Sequence, residues 1–150
     1  MLTTVTHITP DINKQAWTIG EDGGHAFEEY IFKILVKCLN ATFSKNINIQ
    51  KTEATRDGGK DIIIDTSENL NLFGIPVTLK GKNQVRIYIE CKSSKNDMIA
   101  YDKFAKNAIL AGQDEVDYLV LVTNQTITPF SYYSAYELTR SYNCEFILIV

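Results

Sequence analysis

Helical and strand-like periodicities alternate along the chain and predict an α/β domain, a mixed central β-sheet flanked by α-helices. Three observations carry this: an amphipathic stretch over 24–40, an alternating strand at 85–92 (VRIYIECK), and a helix–strand–helix–strand succession from residue 97 to the end. The predicted order α, β, β, β, α, β, α, β places parallel pairing in the last part of the sheet, because strand–helix–strand crossovers join parallel neighbours.

Residues 1–19 show no strong periodicity and read as a lead-in to a domain spanning 20–150. In the first helix Phe27, Ile31, Ile34, Leu35, Cys38 and Leu39 recur at three- and four-residue steps, after Gly23-Gly24. Residues 46–53 (NINIQKTE) alternate and predict a short strand, TRDGGK a glycine-marked turn, and DIIID (61–65) a β-branched strand. Pro76 lacks an amide to donate, so residues 66–84 can supply only edge or irregular strands, and an added hairpin fits them. A second helix is expected over 97–112, where Met98, Phe104, Ala105, Ala108, Ile109 and Leu110 precede Gly112. YLVLVT (118–123) reads as a strand buried on both faces. A third helix should start at Thr128-Pro129, since proline suits the first helical turn, and run to about Tyr142. CEFILIV closes the chain as another buried strand; because it runs to Val150, the domain is expected to come from a longer protein.

Composition narrows the class. A chain of 150 residues suits one domain with a real core, and 45% hydrophobic with 22% charged residues excludes a disordered or fibrous protein. No apolar run approaches the roughly 20 residues that span a bilayer, so no membrane association is expected. MLTTVTHITPDINK lacks the basic start and apolar stretch of a signal peptide. Cys38, Cys91 and Cys144 form no C-x-x-C pair, which argues against a disulfide framework or zinc site and for a reducing cytoplasm. The net charge of −3 does not advertise a nucleic-acid binder. Its distribution softens that objection. Lys80, Lys82, Arg86, Lys92, Lys95, Lys103 and Lys106 face only Glu90, Asp97 and Asp102 in the same stretch, so one basic face can coexist with an acidic whole.

The chemistry centres on Asp61 at the start of one predicted strand and Glu90-Cys91-Lys92 at the end of another. Side chains alternate along a strand, so Glu90 and Lys92 share a face with Arg86 and Tyr88, while Val85, Ile87, Ile89 and Cys91 form an apolar face. If the two strands are neighbours, Asp61 reaches Glu90, and convergent carboxylates repel unless a cation lies between them. Oxygen-only donors suit Mg²⁺ or Mn²⁺, and Lys92 then complements a phosphate or holds a water. On the pattern alone, however, a surface ion pair explains E-x-K better. Glu28 falls inside the apolar stripe of the first helix, whereas Glu29 falls on the solvent side near Lys33. A glutamate there either snorkels to water or needs a partner, which a metal site or Lys92 would supply. Asp57 and Asp65 are alternative carboxylates; Asp65 shares a face with Asp61 by alternation but lies further along the strand, where it would support the site from behind. Gly58-Gly59 is followed by no G-K-[ST], so a tight turn accounts for it. His7 and His25 have no motif around them, and Tyr132, Tyr133, Tyr136 and Tyr142 suit a half-buried helix.

Phe27-Glu28 in a helix, Arg56-Asp57-Gly58-Gly59-Lys60-Asp61 leading into a strand, and Ile89-Glu90-Cys91-Lys92, with Leu121-Val122-Thr123-Asn124 downstream, together resemble the Mrr-type branch of the PD-(D/E)XK nuclease superfamily. The resemblance spans roughly residues 20–150 and implies a restriction-endonuclease-like fold and Mg²⁺-dependent DNA phosphodiester hydrolysis, with Mn²⁺ as a substitute. It assigns the metal to Asp61, Glu90 and the Cys91 backbone carbonyl, catalysis to Lys92, and an assisting role to Glu28. Lys60, Arg56, Ser93 and Lys95 are expected to contact the nucleic acid. Glu90 stands where many members carry Gln, and the gap between Asp61 and Glu90 is longer than usual. The implied setting is the effector of a restriction or anti-phage defence system acting on double-stranded DNA, as a homo-oligomer, or fused to an NTPase or DNA-recognition module. The alternatives are a junction-resolving or repair nuclease, and a catalytically silent module that binds nucleic acid or protein on the same fold.

Overall fold

A computed structural model of the chain describes residues 23–39, 44–52, 61–92, 101–124 and 127–149, with side chains from residue 26 in the first helix and from residue 105 in the second. In chain order the elements are α1 (Gly23–Cys38), β1 (Ile47–Lys51), β2 (Ile62–Thr66), β3 (Leu70–Leu72), β4 (Ile75–Val77), β5 (Val85–Lys92), α2 (Tyr101–Gln113), β6 (Tyr118–Thr123), α3 (Pro129–Arg140) and β7 (Glu145–Ile149). The five-stranded sheet has the order β1-β2-β5-β6-β7. Its first two pairings are antiparallel and its last two parallel. This is the mixed sheet expected from the sequence, and its parallel half is the part built from crossovers.

Both crossovers, β5-α2-β6 and β6-α3-β7, step across the sheet in the same direction. Crossovers of one hand place their helices on one face, and α2 and α3 do pack together. There Ala108, Ala111 and Ala135 meet Tyr88, Leu119, Leu121 and Phe146. Alanines at the contact let the helix backbones approach the sheet closely. The other face is covered by α1, whose Phe27, Ile31 and Leu35 are buried against Ile62, Ile64, Ile87, Ile89, Val120 and Val122. β6, central in the parallel half, is buried along its whole length, because helices cover both its faces.

The insertion between β2 and β5 is a hairpin of β3 and β4, outside the main sheet. Phe73 and Gly74 turn it with φ of 52° and 94°, the paired positive angles of a two-residue hairpin turn that matches strand twist. Pro76 lies exposed in β4, where a missing amide costs nothing. Leu72 and Val77 point into the α1-side core. The return of this insertion is tied down by Tyr118, whose hydroxyl donates to the Thr78 carbonyl (2.9 Å) and accepts from the Thr78 amide (3.1 Å). Asp117 completes the clasp. Its carboxylate pairs with Lys82 and accepts from the Arg86 amide (2.9 Å), and its carbonyl accepts from Lys80 Nζ (3.0 Å).

Two local expectations are corrected. α3 ends at Arg140, two residues short of Tyr142, because residues 141–143 leave the helix as a turn and Asn143 adopts φ of 59°. β2 begins at Ile62, not at Asp61. No described helix is long and apolar enough to cross a membrane.

Candidate active site

Asp61 lies just before the first residue of β2, and the backbone there is irregular. Its amide donates to the Ile89 carbonyl on β5 (2.8 Å), while its own carbonyl accepts from the Thr52 amide beside β1 (2.9 Å). A regular strand residue sends both groups to one neighbour. Since Ile62 also registers with Ile89, two residues of this strand oppose one of β5, which is a bulge. The bulge turns Asp61 out of the alternation that would have aligned it with Ile63 and Asp65. Its Oδ2 instead accepts a 2.7 Å hydrogen bond from the Cys91 amide.

Glu90 and Lys92 project from the end of β5, opposite the α1-side face formed by Ile87, Ile89 and Cys91. Lys92 Nζ lies 2.9 Å from Glu90 Oε1, with Lys92 about one quarter exposed and the Glu90 side chain nearly buried (26% and 10%). From the other side of the sheet, Glu28 on α1 hydrogen-bonds to Asp61. Asp61 at the bulge therefore links the two faces, touching Glu28 on one side and acting electrostatically on Glu90 on the other.

The electrostatics follow from this crowding. Burial, followed by the charge of and hydrogen bond with Glu28, pushes Asp61 up to about 7 against the restraining Cys91 amide and Lys92. Burial and the Asp61 charge raise Glu90, against Lys92 and the Asn107 amide. The Cys91 thiol is pushed well up by burial and by the surrounding carboxylates, so it is an inert neighbour of the site. Burial likewise raises Cys144, to about 11.

Other expected residues fall elsewhere. Asp65 is bound bidentately by Arg86 (2.7 and 3.1 Å), four positions along from Asp61, and takes no part in the cluster. Tyr88 shares the Glu90 face but is buried, its hydroxyl donating to Asp114 (2.8 Å). Glu29 is held by Lys51 (2.5 Å) and lies 3.9 Å from Lys33, as its place on the solvent side of α1 implies. Arg56, Lys60, Ser93 and Lys95 lie outside the described residues, as do Asp57, Gly58-Gly59 and His7.

One residue at the cluster escaped the sequence reading. Asn107 on α2 is only 6% exposed and acts on Glu90 from the helical side. It sits between Phe104 and Ala111 in the apolar stripe of its helix, so the helical-phase test that singled out Glu28 would also have found it.

The donor set at this cluster is oxygen only: the Asp61 and Glu90 carboxylates and the Cys91 carbonyl. The Cys91 amide points at Asp61, and by strand alternation its carbonyl faces the same side. Among the described residues no three acidic, histidine or cysteine side chains close into a ready-made metal cage. A Mg²⁺ site needs less, since that ion keeps several waters and takes one or two carboxylates. Glu90 Oε2 is buried without a hydrogen-bond partner among the described residues, so the donor set fits a small divalent cation. The arrangement pairs acceptors for a cation with the Lys92 ammonium group, a combination suited to metal-assisted phosphodiester hydrolysis.

The family model Mrr_cat, described as restriction endonuclease, matches residues 21–147. Among curated proteins no match is found. The matched segment includes α1, the bulge and the whole of the main sheet up to Ile147.

Proposed function

Because the chain belongs to the Mrr_cat family of restriction endonucleases, we propose that it is a Mg²⁺-dependent endonuclease domain that cuts double-stranded DNA as the effector of a restriction or anti-phage defence system. The observation that carries this reading is the meeting of Asp61, Glu90 and Lys92 at one end of the sheet, with Asp61 anchored on the Cys91 amide and Glu90 on Lys92. Buried carboxylates with so few compensating groups are costly as a structural device. They are useful where a cation is to be bound.

In this reading Asp61, Glu90 and the Cys91 carbonyl hold Mg²⁺, for which Mn²⁺ substitutes. When bound, the metal supplies charge stabilisation at the phosphate and a water of lowered pKa. Lys92, held close to Glu90 yet partly open to solvent, orients the attacking water and offers positive charge to the phosphate oxygens. Glu28 holds the Asp61 carboxyl in place through their hydrogen bond. Arg56, Lys60, Ser93 and Lys95 flank Asp61 and Lys92 in the chain and are proposed to contact the DNA backbone.

The test is incubation with plasmid, linear and four-way-junction DNA in Mg²⁺, Mn²⁺ or EDTA, beside Asp61→Ala and Lys92→Ala. Metal-dependent cutting of duplex DNA that both substitutions abolish is the expected result. Absence of metal-dependent cutting, or cutting unaltered in both variants, sinks the reading. Cleavage confined to the junction would instead make the protein a resolvase.

A further inference from the structure

The buried side-chain polar atoms with no hydrogen-bond partner among the described residues are Glu90 Oε2 and Asn107 Nδ2, an acceptor and a donor. They belong to residues that act on each other: the Asn107 amide stabilises the Glu90 carboxylate, yet the pair does not close a hydrogen bond of ordinary geometry. Leaving two such groups unpaired is expensive, because each has lost its water. Asn107 stands in an apolar helix face, beside Ala108 and Ala111, which are fully buried. The polarity of this position therefore answers to Glu90.

We infer that Asn107 is a positioning residue for the metal-binding carboxylate: Lys92, on Oε1, acts on Glu90 from the strand, and Asn107 acts on it from α2. Lys92 fixes one oxygen from the strand itself. Asn107, buried on α2, favours the charged carboxylate from the helical side. A neutral donor suits the task, because beside the Lys92 ammonium it adds no second positive charge to compete with a cation for the carboxylate. This inference rests on the metal-site reading of Asp61 and Glu90.

Two measurements test it, one independent of metal. Thermal melting without metal is compared for wild type, N107L, E90Q and the double variant. N107L should lower the melting temperature by about 2–4 °C when Glu90 is present, and by clearly less in the E90Q background. An equal change in both backgrounds, or an increase in both, means that Asn107 only fills space and overturns the proposal. Mn²⁺ affinity is then measured by titration calorimetry. N107L should weaken it about tenfold or more, with N107Q restoring part of the loss. Unchanged affinity in N107L, with wild type binding normally, also overturns the proposal. Failure of wild type itself to bind Mn²⁺ would count against the metal-site reading, and the melting cycle would still decide whether Asn107 holds Glu90.

Discussion

The Asp61 carboxylate accepts a 2.7 Å hydrogen bond from the backbone amide of Cys91, so the residue before β2 is docked onto the last turn of the pleat in β5. This contact places a buried acid beside Glu28 and within reach of Glu90, and it ties the geometry of the site to the junction of two strands. Asp61→Asn keeps an oxygen for the Cys91 amide but removes the charge. The variant should melt at or above the wild-type temperature without metal, because the repulsion from Glu28 and Glu90 is relieved. It should lose metal-dependent cleavage by at least about 100-fold, since it loses a charged metal ligand. Melting curves beside a plasmid-nicking assay check both halves, and a destabilised variant would contradict the electrostatic account.

The pH dependence of stability follows from the same group. Asp61 is raised from an ordinary aspartate value to about 7, so the folded state holds a proton that the unfolded state has released. Between about pH 4 and pH 7 the folded chain binds more protons than the unfolded one, and stability falls as pH rises through that window. Glu90, also raised by burial and by Asp61, acts in the same direction. Melting temperatures recorded without metal from pH 4 to 8 should decline toward neutrality, and D61N should flatten the slope. A rising slope specific to Asp61 would show the opposite shift.

Lys92→Met removes the cation 2.9 Å from Glu90. The buried carboxylate then lacks its charged partner, which costs about 1.5–3 kcal/mol, and cleavage should fall by at least about 100-fold. Adding Glu90→Gln should recover most of the lost stability while activity stays absent. Chemical denaturation of the single and double variants measures this, and additive losses would mean that the two residues do not interact.

Asp117 offers a control far from the chemistry. Its carboxylate caps the Arg86 amide and its carbonyl receives Lys80, fastening the inserted hairpin to the start of β6. Asp117→Ala leaves the Arg86 amide without its carboxylate acceptor and should cost about 1–3 kcal/mol. Loss of the Lys82 contact adds little, because that lysine is well exposed. Specific activity well below the melting temperature should match wild type. Activity lost in proportion to that of K92M would show that the clasp reaches the site.

Gly112 closes α2 where a side chain has no room: a Cβ would lie 2.3 Å from Tyr142 Cγ and 2.8 Å from its Cβ. Gly112→Ala should destabilise by about 1–3 kcal/mol through overpacking, and Tyr142→Ala should relieve much of that cost. A double-mutant cycle on unfolding free energy measures the coupling, and no coupling would place the strain elsewhere.

Periodicity by itself determined the helices, the strands and their order, because the spacing of apolar residues records which face of each element meets the core. VRIYIECK and YLVLVT appear with their predicted ends, and the late crossovers implied the parallel half of the sheet. Helical phase also singled out Glu28, which meets Asp61 in the fold. Strand alternation misled at Asp61: it grouped that residue with Asp65, whereas a bulge sends Asp61 to Cys91 and Arg86 claims Asp65. A bulge depends on how one strand registers with another, which no local spacing encodes. For the same reason only the tertiary structure decided that Asn107, fifteen positions beyond Lys92 and on the helix that follows β5, would act on Glu90. Local pattern names the residues able to do chemistry; the packing of α1 and α2 on opposite faces of β5 selects those that meet.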